Sequence, residues 1–473
     1  MGPDAAEAAR RVAVAVPADV LELMARLRAG GHAAWVVGGS VRDAILGRPA
    51  ADWDLTTDAR PERILELLPD AAYENRFGTV AVRRPDGVHE ITTFRTDHEY
   101  ADFRRPHRIE FGDSLEADLG RRDFTANAIA WGWPRPGAEP VEPAAADTRP
   151  GAVDGVLEDP FDGLADLRTR TLRAVGDPTS RFEEDALRMI RAVRLAATLE
   201  ARIEPATLQA IAGHADLVRH LSQERIAAEL AKLLAAPRPS VGLALLESTG
   251  LLRVISPELA DQRGVPQDKI PGDDLWDHTL RTVDAVPVDR PVVRLAGLLH
   301  DIGKPATAGD GHFHAHESVG AGLAETLLDR LRFPRATAER VVQLVRLHMF
   351  DYQGSWSDAA VRRFIKRTGR DGVDELLDLR AADNVGSGLA ADAGGLEELR
   401  ARVADQLLAE VALDRGDLAV DGNDLMAELG LTPGPALGRI IDDLLERVLA
   451  DPSLNDRPTL LLIAQSMLAD EGA

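Results

Sequence analysis

The feature that most constrains the fold is a short apolar run that leads into two glycines and is followed by two aspartates. Residues 33–37 read AAWVV, residues 38–43 read GGSVRD and residues 52–57 read DWDLTT. The apolar run predicts a buried strand, the glycines a close turn, and Val41 the start of a helix. Residues 52–57 predict a second strand. Such a turn exposes backbone N–H groups at a helix N-terminus, which is a geometry that binds phosphate.

Carboxylates follow this turn in a pattern that suits Mg²⁺. Asp52 and Asp54 are two residues apart on the predicted strand, so both side chains are expected on one face. Glu90 lies on another predicted strand, 89–94. Mg²⁺ is held by one or two carboxylates and substrate phosphates, and three carboxylates can hold two metal ions. Asp52, Asp54 and Glu90 are therefore the predicted catalytic residues, with Asp52 and Asp54 as magnesium ligands.

The residues around this site predict a small α/β head and a helical remainder. Helices are expected over 20–30 and 61–68, and strands over 79–83 and 89–94. Polar residues 95–108 and the Pro/Ala/Gly-rich residues 133–155 predict loops. From Phe124 onward the apolar spacing is mostly helical, and residues 386–395 are a Gly/Ala-rich break before a helical tail.

Composition excludes several classes of protein. The chain has 473 residues, is 45% hydrophobic and contains no cysteine, which excludes disulfides and thiolate metal sites. No run of about 18 or more apolar residues occurs, so no membrane span is predicted. The first residues lack the apolar core of a signal peptide. The expected compartment is the cytoplasm.

The net charge of −23 by itself argues against a nucleic-acid binder, since phosphate contacts need basic residues. Arginines nevertheless cluster over 104–122 and 168–194. Arginine suits planar, bidentate recognition better than lysine does. A basic groove on an acidic body would be compatible with RNA, and the alternative is a set of solvated helix faces.

Four motifs resemble one family in order and content. They are VVGGSVRDAILGRPAADWDLTT at 36–57, RRDFTANA at 121–128, EDALRMIR at 184–191 and LSQERI at 221–226. Together they resemble the class II tRNA nucleotidyltransferases and bacterial poly(A) polymerases of the polymerase β superfamily. The resemblance implies an α+β fold in which a small mixed-sheet nucleotidyltransferase head is followed by a mostly α-helical neck and body.

The resemblance also indicates which residues hold the nucleotide. The predicted nucleotide-binding residues are Gly38, Gly39, Ser40, Arg42, Asp43, Arg122, Asp123, Asn127, Asp185, Arg188, Arg191 and Arg194. No nucleic-acid template is needed if an Asp/Arg pair reads the incoming base. A carboxylate accepts from the amine of cytosine or adenine, whereas uracil and guanine present the reverse pattern and leave buried groups unpaired.

Asp185 and Arg188 are the predicted reading pair, since residues i and i+3 share one helix face. The arginines at 191 and 194 are expected to extend that face. The alternative from the residues alone is a ladder of ion pairs along an exposed helix, with Glu184 and Arg188 as members.

The resemblance favours addition of CMP, CMP and AMP, from CTP and ATP, to the 3′ end of tRNA. Residues 75–80, NRFGTV, resemble the CCA-adding pattern, and the basic element of proteobacterial poly(A) polymerases is missing. A flexible loop, which enzymes that add only CC lack, is expected at 95–105. The alternatives are a poly(A) polymerase and a phosphohydrolase with a head that binds nucleotide or RNA.

A second group of potential metal ligands lies in the later half of the chain. An apolar run ends at His300-Asp301, with His278 before it and Asp383 after it, and this order resembles the HD phosphohydrolase superfamily. Imidazole and carboxylate suit a divalent transition metal. His316 and His348 would allow a second ion. An active site of this kind would hydrolyse a phosphoester, for example a terminal 2′,3′-cyclic phosphate on damaged tRNA.

Four domains are expected: a nucleotidyltransferase head at 18–160, a helical neck and body at 161–265, an HD domain at 270–395 and a helical tail at 396–473. The expected partners are the tRNA 3′ end, ATP and CTP, with neither DNA nor a membrane. The oligomeric state stays open.

Overall fold

A computed structural model of the chain describes residues 4–50, 52–75, 78–84, 87–100, 106–112, 114–137, 155–267, 269–309, 312–352, 354–409 and 411–471. The chain divides into two compact units, Met1–Pro257 (unit 1) and Glu258–Ala473 (unit 2). Within the described ranges, no helix is both long and apolar enough to cross a membrane.

Unit 1 is built on a mixed sheet. The strands of its described part are β1 (Ala34–Val37), β2 (Asp54–Thr57), β3 (Ala71–Asn75), β4 (Thr79–Arg84), β5 (Gly87–Thr93), β6 (Arg95–Tyr100), β7 (Pro106–Phe111), β8 (Ala130–Trp133), β9 (Val156–Glu158), β10 (Thr171–Leu172) and β11 (Arg202–Ile203). Seven of them form one sheet in the order β3-β4-β5-β2-β1-β8-β9. In this sheet β2 and β5 are parallel, and the other neighbours are antiparallel.

Helices fill the rest of unit 1. They are α1 (Ala5–Ala15), α2 (Ala18–Ala29), α3 (Gly39–Ile45), α4 (Pro61–Leu67), α5 (Leu115–Gly120), α6 (Gly163–Thr169), α7 (Pro178–Glu184), α8 (Leu187–Leu199), α9 (Pro205–His214), α10 (Gln223–Leu234), α11 (Pro239–Ser248) and α12 (Leu251–Ile255). A short α13 (Pro257–Ala260) begins at the last residue of the unit.

Both faces of the sheet are covered, as β1 illustrates. Ala34 and Val36 pack into an apolar cluster with residues of α1 to α4. Trp35 and Val37 point the other way, into a second cluster that includes Phe94. Because side chains alternate along a strand, burial on both sides requires an unbroken apolar run, which is what residues 33–37 supply.

Unit 2 is almost entirely helical. Its helices are α14 (Leu275–Ala285), α15 (Pro291–Leu299), α16 (Lys304–Thr307), α17 (His316–Arg330), α18 (Arg335–Leu347), α19 (Asp358–Thr368), α20 (Val373–Gly386), α21 (Leu396–Leu408), α22 (Gly422–Leu429), α23 (Pro435–Ala450) and α24 (Arg457–Glu471), and its two short strands are β12 (Ala308–Gly309) and β13 (His312–Phe313). The fold class predicted from the sequence, a mixed-sheet head followed by helices, is confirmed.

The loop predicted over residues 95–108 is wrong for the part that is described. β6 and β7 pair antiparallel in this segment. A hairpin is held by backbone hydrogen bonds, which polar residues form as well as apolar ones do. Residues 101–105 of that prediction lie outside the described residues. Arg76 and Phe77 of the NRFGTV pattern also lie outside them, and so do residues 138–154 of the loop predicted at 133–155.

Residues 386–395 separate α20 from α21 as predicted. The four domain boundaries expected from the sequence are finer than the division into two units, and they stay predictions.

Candidate active site and candidate metal centre

The candidate catalytic residues lie on the face of the sheet opposite α1 to α4. In the parallel pair β2 and β5, Leu55 is level with Ile91, and both pack into the cluster that contains those helices. Asp54 and Glu90 immediately precede these two residues. They therefore lie side by side on the opposite face, because side chains alternate along each strand.

Asp52 does not lie on the strand as predicted. β2 begins at Asp54, and Asp52 precedes it with a φ of 51°, in the left-handed region. The expected alternation along one strand is therefore wrong for this residue. A non-glycine residue with such a φ is uncommon and is held by its surroundings. A backbone bend, rather than strand geometry, places Asp52 beside Asp54.

The three carboxylates influence one another electrostatically. Solvent reaches all three side chains from one side. Protein atoms on the other sides partly desolvate Asp54 and raise its pKa, and the charge of Asp52 raises it further against the opposing charge of Arg122. Burial also raises the pKa of Glu90, as does the charge of nearby Glu74, and the two aspartates add to this effect. A divalent cation would relieve this repulsion, so the residues present fit Mg²⁺.

Gly38 lets an arginine approach these carboxylates closely. It precedes α3 with φ 85° and ψ −141°, a conformation that glycine adopts freely. A Cβ atom here would lie 3.1 Å from Nη1 of Arg122 and 3.8 Å from Oδ2 of Asp54. Gly39 and Ser40 follow in the first turn of α3. The Oγ of Ser40 is buried without a hydrogen-bond partner among the described residues.

Arg42 begins a chain of polar contacts from α3 to α8. Its guanidinium donates to both carboxylate oxygens of Asp43 at 2.9 Å and to Oδ1 of Asn127 at 2.6 Å. Asn127 donates to Oδ1 of Asp123 at 2.9 Å. Arg191 donates from Nε to Oδ2 of Asp123 at 2.8 Å. Five of the predicted nucleotide-binding residues therefore form one connected network.

Asp123 is the central anion of this network. Burial alone would raise its pKa, but the charge of Arg191 and the hydrogen bond from Asn127 outweigh burial and hold the pKa of Asp123 well below its usual range. The charge of Asp123 in turn raises the pKa of Arg191. This ion pair joins the head to α8.

Asp118 is a residue of the site that the sequence analysis missed. It is buried in α5, where Nε and Nη2 of Arg121 donate to its Oδ1 at 2.9 and 2.7 Å. Its Oδ2 accepts from Oγ1 of Thr56 on β2 at 3.2 Å and lies 3.8 Å from Nη2 of Arg122. The i,i+3 and i,i+4 spacing to the two arginines was the available signal. Asp118 thus links Arg122, which lies near Asp54, to β2, the strand on which Asp54 lies.

The predicted reading pair does not share one continuous helix face. α7 ends at Glu184 and α8 begins at Leu187, and Asp185 lies between them with extended backbone, φ −146° and ψ 104°. Its Oδ1 accepts from the Leu187 N–H at 3.0 Å. A short polar side chain that bonds a backbone N–H two residues on competes with helix formation. The expected position of Asp185 within the helix is therefore wrong. The Arg188 N–H still donates to the carbonyl oxygen of Asp185 at 3.0 Å, so the two residues keep an i,i+3 backbone contact.

Asp185 has a different partner from the one expected. Nη2 of Arg225 on α10 donates to Oδ2 of Asp185 at 2.8 Å. Arg225 belongs to the LSQERI motif, but its role could not be read from spacing, because the two residues are 40 positions apart.

Arg188 and Arg194 each contact an acidic residue. Arg188 donates to Oε2 of Glu184 at 2.6 Å and to the carbonyl oxygen of Arg121 at 2.7 Å. Arg194 donates to Oε2 of Glu229 at 2.6 Å. The ion pair between Glu184 and Arg188 was expected under the alternative interpretation, a ladder of ion pairs along an exposed helix.

The second site lies in unit 2, where five helices and the segments at their ends bring six potential ligands together. His278 lies on α14, the His300-Asp301 pair follows α15, His316 opens α17, His348 follows α18 and Asp383 lies on α20. All six residues are buried.

These residues form two groups that share Asp301. In each of the groups His278–His300–Asp301 and Asp301–His316–His348, one ligand atom per residue lies within 4.8 Å of the others. Asp383 joins the first group, with its Oδ1 3.3 Å from Nε2 of His278. The six residues of the sequence prediction are therefore together, and a carboxylate shared by both groups allows a second ion.

Backbone hydrogen bonds fix the orientation of three imidazoles. The Nδ1 atoms of His300, His316 and His348 lie 2.8, 2.9 and 2.7 Å from the carbonyl oxygens of Gly297, Phe313 and Val345. Such bonds select the tautomer whose Nε2 is free to bind a metal. The Nε2 atoms of His316 and His348 are buried without hydrogen-bond partners among the described residues. These orphaned acceptors fit a divalent cation.

Burial and neighbouring charges act in opposite directions on the pKa values at this centre. Burial would raise the pKa of Asp301, but the charges of His300 and Lys304 hold it well below its usual range. Burial lowers the pKa of His300, whereas Asp301 outweighs burial and raises the pKa values of His278 and His316. Neutral imidazoles and ionised carboxylates are the forms that bind metal.

The fold and the two sites define a class of protein: a metal-dependent nucleotidyltransferase head followed by helices and a histidine–aspartate domain. Three families match along the chain, described as "Poly A polymerase head domain" over residues 34–173, "Probable RNA and SrmB- binding site of polymerase A" over 202–263, and "HD domain" over 254–409.

The chain belongs to the CCA-adding enzyme family. It is 34% identical over 434 residues to the CCA-adding enzyme of Levilactobacillus brevis, covering 91% of this chain and 93% of the relative. It is 30% identical over 456 residues to that of Streptococcus suis, covering 96% and 97%.

Solved structures agree with this relationship. The Bacillus stearothermophilus CCA-adding enzyme in complex with CTP matches with a TM-score of 0.70 and 28% identity, over 96% of this chain and 98% of that one. The Thermotoga maritima CCA-adding enzyme complexed with tRNA shares the fold, with a TM-score of 0.57 and 18% identity over 98% and 99%.

Proposed function

We propose that the chain adds CMP, CMP and AMP, taken from CTP and ATP, to the 3′ end of tRNA without a nucleic-acid template. The observation that carries this proposal is the placement of Asp52, Asp54 and Glu90 together beside the Gly38–Arg122 contact, in a chain that matches CCA-adding enzymes over nearly its whole length. The cytoplasm, where tRNA is processed, is the compartment that fits this activity.

In the proposed reaction, the 3′ oxygen of the RNA forms a bond to the α-phosphorus of the incoming nucleotide. The bond to pyrophosphate breaks, and the hydroxyl proton leaves to solvent. Asp52 and Asp54 would hold Mg²⁺, with Glu90 beside them, and the ion would supply charge stabilisation at the attacking and leaving oxygens. In this proposal Arg122 and the backbone N–H groups that follow Gly38 would contact the triphosphate.

Base selection is assigned to the region around the break between α7 and α8. We propose that Asp185 accepts from the exocyclic amine of cytosine or adenine and that Arg188 donates to the ring nitrogen. Arg191 and Arg194 extend this surface. Arg225 supports the proposal, since it holds the carboxylate of Asp185 in place. The connected network through Asp43, Asp123 and Asn127 would fix the positions of α3 and α8 relative to the bound nucleotide.

The test is an extension assay on a tRNA transcript that lacks its last three nucleotides, with Mg²⁺ and with CTP, ATP or both. The expected products are CC with CTP alone and CCA with both, followed by arrest. Asp54→Asn should reduce the rate by about a thousandfold or more, because a catalytic metal ion contributes several kcal/mol.

The matched control is Asp70→Asn, which alters an exposed aspartate paired with Arg84 and should leave addition unchanged. Long A-tails would assign the chain to the poly(A) polymerases. A wild-type protein that adds nothing would contradict the proposal.

We propose a second activity for unit 2, the metal-dependent hydrolysis of a phosphoester. The orphaned Nε2 atoms of His316 and His348 and the shared Asp301 favour it. A divalent transition metal would polarise the phosphoester and lower the pKa of a water ligand. Water would add to phosphorus, the P–O bond to the ribose oxygen would break, and that oxygen would take up a proton.

The test compares His300→Ala with His314→Ala on RNA that ends in a 2′,3′-cyclic phosphate or a 3′-phosphate. His314 lies in the same segment as His316 but is exposed. His300→Ala should abolish hydrolysis of the phosphoester and retain nucleotide addition, whereas His314→Ala should retain both activities. No hydrolysis by the wild type with any divalent metal would refute this second activity.

The four domains at 18–160, 161–265, 270–395 and 396–473 remain our proposed division, with the HD centre in the third.

A further inference from the structure

The use of lysine in this chain is unusual and uneven. The chain contains 55 lysines and arginines, and only four of them, at 232, 269, 304 and 366, are lysines. Lys232 and Lys366 are exposed on α10 and α19. Lys269 and Lys304 line the same cavity, which has a volume of about 480 Å³ and lies over the metal centre of unit 2. In a chain whose ordinary cation is arginine, lysine at these two positions indicates a need for a compact ammonium.

The two lysines of the cavity are engaged differently. Lys304 is buried, with its Nζ 2.7 Å from Oδ2 of Asp301. Lys269 retains 36% of its side-chain exposure; its Nζ donates to Oγ of Ser387 at 2.8 Å and lies 3.6 Å from Oδ1 of Asp383. An ammonium has three donors. Lys269 lines the cavity and therefore has a third donor beyond these two contacts.

The cavity is lined by more positive than negative charge. Its charged walls, within the described residues, are Lys269, Lys304 and Arg380 against the carboxylates of Asp301 and Asp383. Any divalent ion held by the carboxylates adds positive charge. A dianion balances such a cavity better than a monoanion does. A phosphomonoester is mostly dianionic at neutral pH, because its second pKa is about 6, whereas a cyclic phosphodiester carries one charge.

Apolar side chains form the rim of the same cavity. Met349 and Leu389 line it and are 54% and 57% exposed. Flexible apolar side chains that remain in water beside a charged cavity suit a ligand whose other end is a ribose and a base.

We propose that Lys269 binds the phosphoryl group of the ligand of this cavity, and that the ligand is a nucleotide with a terminal phosphomonoester rather than a cyclic phosphate. Ser387 orients the ammonium, and Arg380, which donates to Oδ2 of Asp383 at 3.0 Å, supplies the second cation. The substrate preference rests on the hydrolase activity proposed for unit 2, whereas the anion site does not.

The first experiment measures binding of inorganic phosphate by calorimetry to the full chain carrying stoichiometric Mn²⁺. All proteins carry Asp54→Asn, so that the head does not contribute. Lys269→Gln should weaken phosphate binding by about 10- to 100-fold, the contribution of one hydrogen bond to a charged group. Lys269→Arg should weaken it less, since the charge remains. Lys366→Gln, which removes an exposed lysine of the same unit, should leave it unchanged.

Metal content and thermal unfolding are measured on the same samples, because Lys269 lies close to Asp383. Unchanged phosphate affinity in Lys269→Gln, an equal loss in Lys366→Gln, or a loss explained by missing Mn²⁺ would overturn the assignment of Lys269. Absence of phosphate binding to the metal-loaded parent protein would overturn it too.

The second experiment compares kcat/KM on RNA that ends in a 3′-phosphate with that on RNA that ends in a 2′,3′-cyclic phosphate, using the enzyme without Asp54→Asn. The monoester should be preferred, and Lys269→Gln should raise KM for it. Preference for the cyclic substrate would overturn the ligand proposed. No hydrolysis of either, with phosphate binding retained and dependent on Lys269, would remove the hydrolase activity and the substrate preference, and would leave the anion site.

Discussion

Gly38 shows how a single residue controls the candidate active site. Its φ of 85° and the 3.1 Å between a would-be Cβ and Nη1 of Arg122 leave little room for a side chain. We predict that Gly38→Ala lowers kcat/KM for nucleotide addition by about 10-fold, because the new Cβ displaces the guanidinium of Arg122 beside Asp54 by less than the roughly 1 Å that costs about 100-fold.

Gly47→Ala provides the control for this prediction. Gly47 also has a positive φ, of 69°, but a Cβ there would meet nothing within 4 Å. Its substitution should cost about 1 kcal/mol of stability and leave the kinetics nearly unchanged. Equal kinetic effects of the two variants in the extension assay would show that the Arg122 contact is not responsible.

Asp123 is a residue at which charge affects the stability of unit 1. Its pKa is held below the usual range, so its contribution is present above the unfolded pKa, about 3.9, and is lost as the pH falls toward the folded value. We predict that Asp123→Asn destabilises unit 1 by about 2–3 kcal/mol at pH 7, because it leaves Arg191 without its partner.

Urea unfolding at a series of pH values checks this sign. The difference between wild type and Asp123→Asn should shrink as the pH drops below about 4. Asp216→Asn, which alters an exposed ion pair with Arg219, should change stability by less than about 0.5 kcal/mol. A difference in the free energy of unfolding between wild type and Asp123→Asn that grows as the pH falls would contradict the proposed electrostatics.

At the scale of elements, the break between α7 and α8 matters more than either helix. It turns Asp185 out of helical geometry and lets it accept from Arg225 of α10. Three helices therefore meet at one carboxylate. A carboxylate held in this way is preorganised for hydrogen bonding, and binding groups that are fixed in advance discriminate best between similar ligands.

We predict that Arg225→Gln loosens Asp185 and lowers the preference for CTP over UTP by about 10-fold or more, with a smaller effect on the rate with the correct nucleotide. Competition between CTP and UTP in the extension assay measures the ratio. Arg219→Gln, an exposed arginine of the preceding segment, should leave the preference intact. Unchanged fidelity in Arg225→Gln would remove this residue from base selection.

At the scale of the whole molecule, charge is unevenly divided. Unit 1 has 40 acidic and 32 basic residues, and unit 2 has 38 and 23, so unit 2 holds most of the excess negative charge. The arginine-rich stretch at 168–194 is not a free basic surface. Many of its members pair with carboxylates; they include Arg173, Arg181, Arg188, Arg191 and Arg194. Ligand binding by these arginines would require an exchange of partners.

The candidate metal centre leads to a prediction for the thermal behaviour of the chain. A divalent transition metal at 100 times its dissociation constant should stabilise the site by about 2.7 kcal/mol. Calorimetric scans with and without Mn²⁺ should therefore show an upward shift of the transition of unit 2. In His300→Ala the shift should vanish while Mg²⁺-dependent nucleotide addition continues. A shift retained in His300→Ala would mean that the metal binds elsewhere.

The relation between sequence and fold differs between segments. The strand, turn and helix at 34–45 were predicted, because apolar spacing and glycines act locally. The β6–β7 hairpin was missed, since its pairing uses backbone groups that carry no sequence signal.

The sequence by itself determined the fold class, the family and the list of chemically capable residues, because each of these depends on residue type and order. Only the tertiary structure decided how the residues are arranged. It set the left-handed backbone of Asp52, the contact of Asp185 with Arg225, the sharing of Asp301 between two groups of histidines and the position of Lys269 in their cavity. These depend on contacts between residues far apart in the chain, whose geometry is fixed by packing rather than by local preference.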